Sequence, residues 1–432
     1  MANQRRDFIK TTGLGIMALG VPSFATNSFN QSKSINIGVI GCNGMGWSNT
    51  KSILKNEGVN LVGICDVDKN VISKRLKEKN NDSRITSYSD YRELLKNKNI
   101  DAVIIGTPDH WHCKMMVDAC KAGKAVYVEK PIANTIEECH IMVNVAKKYN
   151  SIVQVGQWQR SGTHYKTAID FVRSGKLGNI RLVKVWAYQG WMKPVPIKPD
   201  SKAPKGVDYT SWLGPAPTRP FNENRFHFNF RWFWDYAGGL MTDWGVHEID
   251  IALYAMGATT PKSVMASGGK LAYPDDASET PDTLQTVFEY DDFNMLWEHA
   301  TGIDSGPYGR TEGIAFIGNN GTLVVNRGGY EIIPEKNSNI EAVKIARPEG
   351  VSYLDLHTKN FIEAIRAKDN SILNTPIESG SQAAINAQMG NIAYKTRSKI
   401  YWDASKNKFK NNDKANKLVN ATYHNNWKKP TL

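Results

Sequence analysis

What most constrains the fold of this chain is an alternation. From Ile35 to Val155, short runs rich in β-branched residues take turns with helix-patterned stretches. The runs are INIGVIG (35–41), NLVGICD (60–66), DAVIIGT (101–107), AVYVE (125–129) and SIVQVG (151–156), with a weaker one at RITSY (84–88). They are almost wholly apolar, as strands are when both faces of a parallel sheet are covered. HCKMMVDACKAG (112–123) ends on Gly123, a helix stop. TIEECHIMVNVAKKYN (135–150) opens on a Thr-x-x-Glu cap. The pattern predicts an α/β, doubly wound parallel sheet, a Rossmann-type domain over 34–156.

The first run leads into VIGCNGMGWSN (39–49), which opens a helix. Gly41, Gly44 and Gly46 permit a tight turn and close approach of backbone to a pyrophosphate at a helix N-terminus. Asn43 and Met45 lie between them and share the candidate cofactor contact. The spacing is GxxGxG rather than GxGxxG. Its position after a strand, and Asp66 ending the second strand 20 residues after Gly46, carry the reading. An acidic side chain there suits ribose hydroxyls and repels a 2′-phosphate, so NAD is expected over NADP.

After Gly156 the texture changes. A helix (163–174) precedes a long alternating strand (179–190), a Pro-rich loop (194–220) and strand candidates at 261–270, 284–290, 293–300, 313–317 and 321–325. Adjacent strands with short turns predict an α+β domain over 157–400 with a large, mostly antiparallel sheet. Helical patterns return at 354–368 and 377–397. The 432 residues accommodate two or three such domains.

The two ends read differently. NQRRDFIK (3–10), with paired Arg5 and Arg6, precedes a weakly apolar stretch ending Ser23-Phe24-Ala25. This resembles a twin-arginine export signal, so residues 1–33 are expected to be signal and linker and the protein periplasmic. Gln4 stands where Ser or Thr is usual. Residues 401–432 form a basic tail, expected to be loose except near Trp427. The net charge is +12, and seven Lys against one Asp in 404–432 supply half of it. A charge excess held in a tail argues against nucleic-acid binding. No apolar run approaches the roughly 18 residues of a membrane span. Five cysteines, Cys42, Cys65, Cys113, Cys120 and Cys139, make neither a disulfide framework nor a zinc pair.

MTDWGVHEID (241–250) places Asp243, His247 and Asp250 at spacings of four and three, one face of a helix. The residues suit a metal site, a proton relay or an ordinary polar face. With GTPDHWH (106–112) and VEKPIA (128–133), each at the C-terminal end of a strand, this stretch makes the chain resemble the Gfo/Idh/MocA oxidoreductase family over roughly 34–400. The resemblance implies that Lys130, His247 and Asp243 are catalytic. It implies that Thr107, Pro108, His112, Glu129, Lys130 and Gln157 contact the cofactor, and that Arg160, Trp191 and His247 contact substrate. It further implies a small carbohydrate substrate, a polyol, sugar or glycoside, and a homo-oligomer.

Chemistry agrees: hydride transfer needs a base for the hydroxyl proton and a cation near the developing alkoxide. Asp243, one turn before His247, is the expected orienter of the imidazole. A metal is disfavoured because Lys130 opposes a cation and no third ligand is evident. Asp250 has no assigned role. FNENRFHFNFRWFWDY (221–236) carries eight aromatic rings, of which two or three at most are expected in the site. Trp111, Trp158 and Trp191 are further stacking candidates. Export would require tightly bound NAD, because free nucleotide is scarce outside the cytoplasm. The leading expectation is an exported sugar, glycoside or polyol oxidoreductase acting at a ring hydroxyl such as C3. A redox-neutral NAD-dependent glycosidase, as in the α-N-acetylgalactosaminidase branch, ranks second, and a sugar-binding protein that keeps its cofactor ranks third.

Overall fold

The computed structural model describes residues 34–432. The twin-arginine stretch and its cleavage pattern lie outside the described residues. Six parallel strands form the first sheet: β1 (Ile35–Ile40), β2 (Val59–Cys65), β3 (Thr86–Tyr88), β4 (Ala102–Ile105), β5 (Ala125–Val128) and β6 (Val153–Val155). Their order is β3-β2-β1-β4-β5-β6. The strand order reverses its progression between β1 and β4, the switch point at which doubly wound sheets open a crevice.

Helices α1 (Gly44–Ile53), α2 (Lys69–Glu78), α3 (Tyr91–Lys96), α4 (Asp109–Lys121) and α5 (Ile136–Lys148) connect these strands. The Thr135 hydroxyl accepts from the Glu138 backbone N–H, so the expected cap of α5 is present. Gly123 takes φ +72° just past α4, a conformation that stops a helix at little cost.

The second sheet has ten strands. β7 (Leu182–Gln189), β8 (Ser263–Gly269), β9 (Thr283–Glu289), β10 (Asn294–Thr301), β11 (Glu312–Ile317), β12 (Gly321–Asn326), β13 (Gly329–Pro334), β14 (Val343–Ala346), β15 (Ile400–Asp403) and β16 (Lys408–Phe409) run in the order β14-β13-β12-β11-β7-β10-β9-β8-β15-β16. Only β7 and β10 pair in parallel. Helix α7 (Tyr209–Leu213) belongs to the Pro-rich loop. One face of the ten-stranded sheet carries α6 (Thr163–Arg173), α9 (Gly245–Met256) and α11 (Ile377–Thr396), with α8 (Leu240–Asp243) packed on α9 and α11. Their apolar side chains share one core with Val183, Val185, Phe288, Met295, Trp297 and Phe316.

Helix α10 (Tyr353–Ala367), although it follows the second sheet in the chain, buries Phe361, Ile362 and Ala364 against β1 and β2 residues of the first. Its Asp355 accepts from Ser52 at 2.6 Å and from Lys55 at 2.7 Å. The residues after 403, which composition marks as loose, are ordered. β16 and α12 (Asp413–Val419) pack there, burying Phe409, Ala415 and Val419. Composition misreads this segment because few apolar side chains, well spaced, suffice to dock it.

Candidate active site

The cleft at the switch point encloses about 590 Å³. Gly41, Asn43, Gly44, Met45, Asp66, Thr107, Pro108, Glu129 and Lys130, all cofactor candidates from the sequence, line it. The glycine loop is tight. A Cβ on Gly46 would lie 1.9 Å from the Gly41 carbonyl oxygen, and one on Gly41 would lie 2.7 Å from the Gly106 carbonyl carbon. At Gly44, with φ +43°, nothing approaches within 4 Å. The loop is thus crowded beneath and open towards the cleft, the cradle a dinucleotide pyrophosphate requires. Asp66 accepts the Cys42 N–H at 2.8 Å and the Asp68 N–H at 3.0 Å. Burial pushes its carboxyl up, and those two N–H groups offset part of the shift. The set fits an adenine dinucleotide.

The Pro-rich loop and the aromatic stretch after it reach back to Val67 and Asp68, beside this acid. Val207 bridges to Asp68, Asp208 N–H donates to the Val67 carbonyl at 2.9 Å, and His227 meets Asp68 at 3.0 Å. Asp208, His227, Phe228, Phe230 and Arg231 consequently line the cleft. Of the eight rings in 221–236, Phe228 and Phe230 line it, while Phe221, Trp232, Phe233 and Tyr236 are buried.

Lys130 sits at the end of β5, before the cis Lys130–Pro131 bond. Its ammonium donates to the Asp243 carboxylate and to the Asp243 carbonyl, both at 2.8 Å. Arg231 reaches the same carboxylate oxygen at 3.3 Å. Burial alone would raise the Asp243 carboxyl, but the two cations hold it down at about 2. Asp109, in the first turn of α4, lines the same wall. Burial pushes it up to about 8 against the pull of Arg231 and Lys130, with Asp243 adding to the rise. Glu129 accepts from Asn49 at 2.7 Å, and burial likewise raises it.

The expected pairing of Asp243 with His247 does not form. The polar stretch is two helices, α8 and α9, and the His247 N–H bonds the Trp244 carbonyl three residues back at 3.0 Å. That tightened turn removes the one-face register, and Asp243 serves Lys130 instead. His247 is buried near Trp158, at 6.0 Å between ring centroids, and its Nδ1 has no partner. Burial and then the Lys130 charge hold the imidazole well below the ordinary histidine value. It is therefore neutral near pH 7, with a buried nitrogen still to be satisfied.

Four further candidates are placed apart from the contacts expected of them. The Arg160 guanidinium grips Asp250 at 2.7 and 2.8 Å and lies 4.2 Å from the Tyr254 ring. That pair accounts for Asp250. Gln157 lies behind the cleft, donating to the Val246 carbonyl at 2.8 Å. His112 stands between the Pro131 carbonyl at 2.7 Å and the Thr107 carbonyl at 2.8 Å. It braces the two lining loops rather than touching the cleft. Trp191 is 55% exposed and packs on Phe228 outside the lining. Trp111 does line it. Sequence reasoning missed Asp109 and Arg231, although GTPDHWH and FNFRWFWDY contain them; neither spacing marks a charged residue among aromatic ones as part of a site. Among the described residues no group of three or more His, Cys, Asp or Glu side chains is placed to hold a metal.

Comparison with known proteins gives two family matches. Residues 35–157 match an oxidoreductase family model described as an NAD-binding Rossmann fold. Residues 162–429 match the C-terminal α/β domain of that oxidoreductase family. Curated relatives include glycosyl hydrolase family 109 protein 1 of Shewanella sp. (strain ANA-3), 29% identical over 201 residues, 41% of this chain and 44% of that protein. The α-N-acetylgalactosaminidase of Shewanella oneidensis is 28% identical over the same shares. The match thus spans under half the length of those relatives. Similar folds include levoglucosan dehydrogenase with NADH and levoglucosan bound (TM-score 0.65, 18% identity, 85% of this chain, 99% of that one). Another is the WlbA dehydrogenase of Bordetella pertussis with NADH and UDP-GlcNAcA (TM-score 0.64, 18% identity, 86% and 99%).

Proposed function

Because the chain belongs to the Gfo/Idh/MocA oxidoreductase family, with its NAD-binding Rossmann fold, we propose that it moves hydride between tightly held NAD and a hydroxyl-bearing carbon of a sugar, glycoside or polyol. The observation that carries this reading is the Lys130–Asp243–Arg231 cluster at the cleft, with neutral His247 behind it. NAD, when bound, supplies the hydride acceptor. Lys130 faces the cleft as a fixed cation, because Asp243 holds its ammonium at two points. Such a cation stabilises an alkoxide as it develops without reorganising. His247, neutral, accepts the hydroxyl proton, and its depressed basicity returns that proton readily in the reverse direction. Asp109, protonated below about pH 8, adds no competing negative charge beside Lys130.

Asp66 supports NAD over NADP. The Arg5–Arg6 pair and the Ser23-Phe24-Ala25 pattern support export to the periplasm. A redox-neutral glycosidase is a second reading, favoured by the similarity to an α-N-acetylgalactosaminidase. It uses the same proton acceptor and cation, with the carbinol oxidised transiently and restored after the glycosidic bond is cleaved.

Incubating the NAD-loaded protein with a panel of free sugars and glycosides separates the two. We expect a keto-sugar with stoichiometric reduced cofactor. Free sugar released with no net reduction would establish the glycosidase, and no product from any compound would sink both.

A further inference from the structure

The C-terminal segment crosses back onto the nucleotide-binding domain and is tied down at several points. Ala421 N–H donates to Glu137 at 2.8 Å and Tyr423 OH to Glu138 at 2.9 Å, both acids in the first turn of α5. Lys429 pairs with Glu137 at 2.6 Å. The Asn425 amide donates to the carbonyls of Gly214 and Ala216 at 2.8 and 2.9 Å. Between these anchors Trp427 turns inward and becomes part of the cleft lining. Its ring meets Trp111 edge-on at 4.9 Å, Trp111 meets Tyr91 at 5.8 Å, and the Arg92 guanidinium lies 5.2 Å from the Trp427 ring.

This wall stands at one end of the cleft. Tyr91 and Arg92 follow β3, which neighbours β2 on the side away from β1. Asp66, at the end of β2, marks the adenosine ribose, so residues one strand further out face the adenine. Aromatic rings and a guanidinium are the side chains that stack on a purine. We infer that residues 421–432 are a clasp that retains the nucleotide, with Trp427 as its positioning residue at the adenine end. The clasp rests on the NAD assignment. Its chemistry requires an adenine ring, not the nicotinamide, so ADP-ribose should feel it and nicotinamide mononucleotide should not.

The test uses the full chain and measures NADH dissociation by stopped-flow fluorescence. Trp427→Ala should release NADH about tenfold faster or more, the size of one lost base–aromatic stack. Trp427→Phe should stay within about threefold of wild type, since a ring remains. Asn425→Ala, which loosens the segment at a side chain that is not itself part of the cleft lining, should also speed release, and it covers the case in which Trp427→Ala fails to fold. ADP-ribose should weaken with NADH, and nicotinamide mononucleotide should be unaffected. Wild-type protein that takes up no NADH would overturn the cofactor assignment and the clasp together. Wild-type binding with unchanged dissociation from the Trp427→Ala and Asn425→Ala proteins would overturn the clasp alone.

Discussion

Asp109 is a carboxyl set beside two cations that burial nonetheless keeps protonated up to about pH 8. Its folded value lies above the unfolded one, near 3.8. The stabilising contribution of such a group is therefore complete below pH 3.8 and is lost as pH rises through 8. Asp109→Asn keeps the shape and removes the titration. The difference in Tm between Asp109→Asn and wild type should widen in favour of the variant from pH 5 to 8, then level off. A constant difference across that range, read by thermal denaturation, would show that Asp109 ionises normally. Lys130 and Asp66 were legible from sequence because each ends a strand inside a recognisable motif. Asp109 and Arg231 were not, since their roles depend on which charge faces which across a cleft that only the fold assembles.

At the scale of elements, the break between α8 and α9 decides the site. The spacing Asp243-x-x-x-His247 places both residues on one face only in an uninterrupted helix, and the turn at Trp244 removes that condition. Asp250 remains on α9 and meets Arg160 from the short 3-10 turn after β6. Both side chains are almost inaccessible, at 8% and 2%. Breaking a buried pair costs roughly 3–5 kcal/mol, because the surviving charge loses its partner. Arg160→Met should lower stability by about that amount in urea titration. Arg160→Met combined with Asp250→Leu should recover much of the loss, because no charge is then left buried. Unchanged stability with a raised KM would instead return Arg160 to the substrate site. The stretch around it, GQWQR (156–160), gave no sign of this, since an arginine reads the same in sequence whether it grips a ligand or a buried acid.

Across the whole molecule, the alternating apolar runs located six parallel strands with ends displaced by at most two residues, because strands buried on both faces leave little freedom in composition. The second sheet was less legible at its edges: β14 and β15 have four residues and β16 two, too few for a periodicity to separate them from loops. Two long-range dockings were invisible for a related reason. Helix α10 covers the first sheet from a distant part of the chain, and the basic tail returns to the cleft. Both depend on contacts between residues hundreds of positions apart. Together these dockings brace the nucleotide-binding domain with two segments from the C-terminal part of the chain.

The central claim is that Lys130 and His247 act on a substrate hydroxyl while NAD stays bound. The most direct measurement is a single turnover. NAD-loaded wild type, Lys130→Met and His247→Ala are each mixed with a reactive sugar or glycoside, and reduced-nicotinamide absorbance is followed in time. Wild type should show rapid appearance of the reduced cofactor, and each variant a loss of at least about a hundredfold in rate, as for removal of a proton acceptor or a fixed electrostatic partner. Both variants should retain bound NAD. Full-rate reduction in either variant would remove that residue from the chemistry and contradict the account.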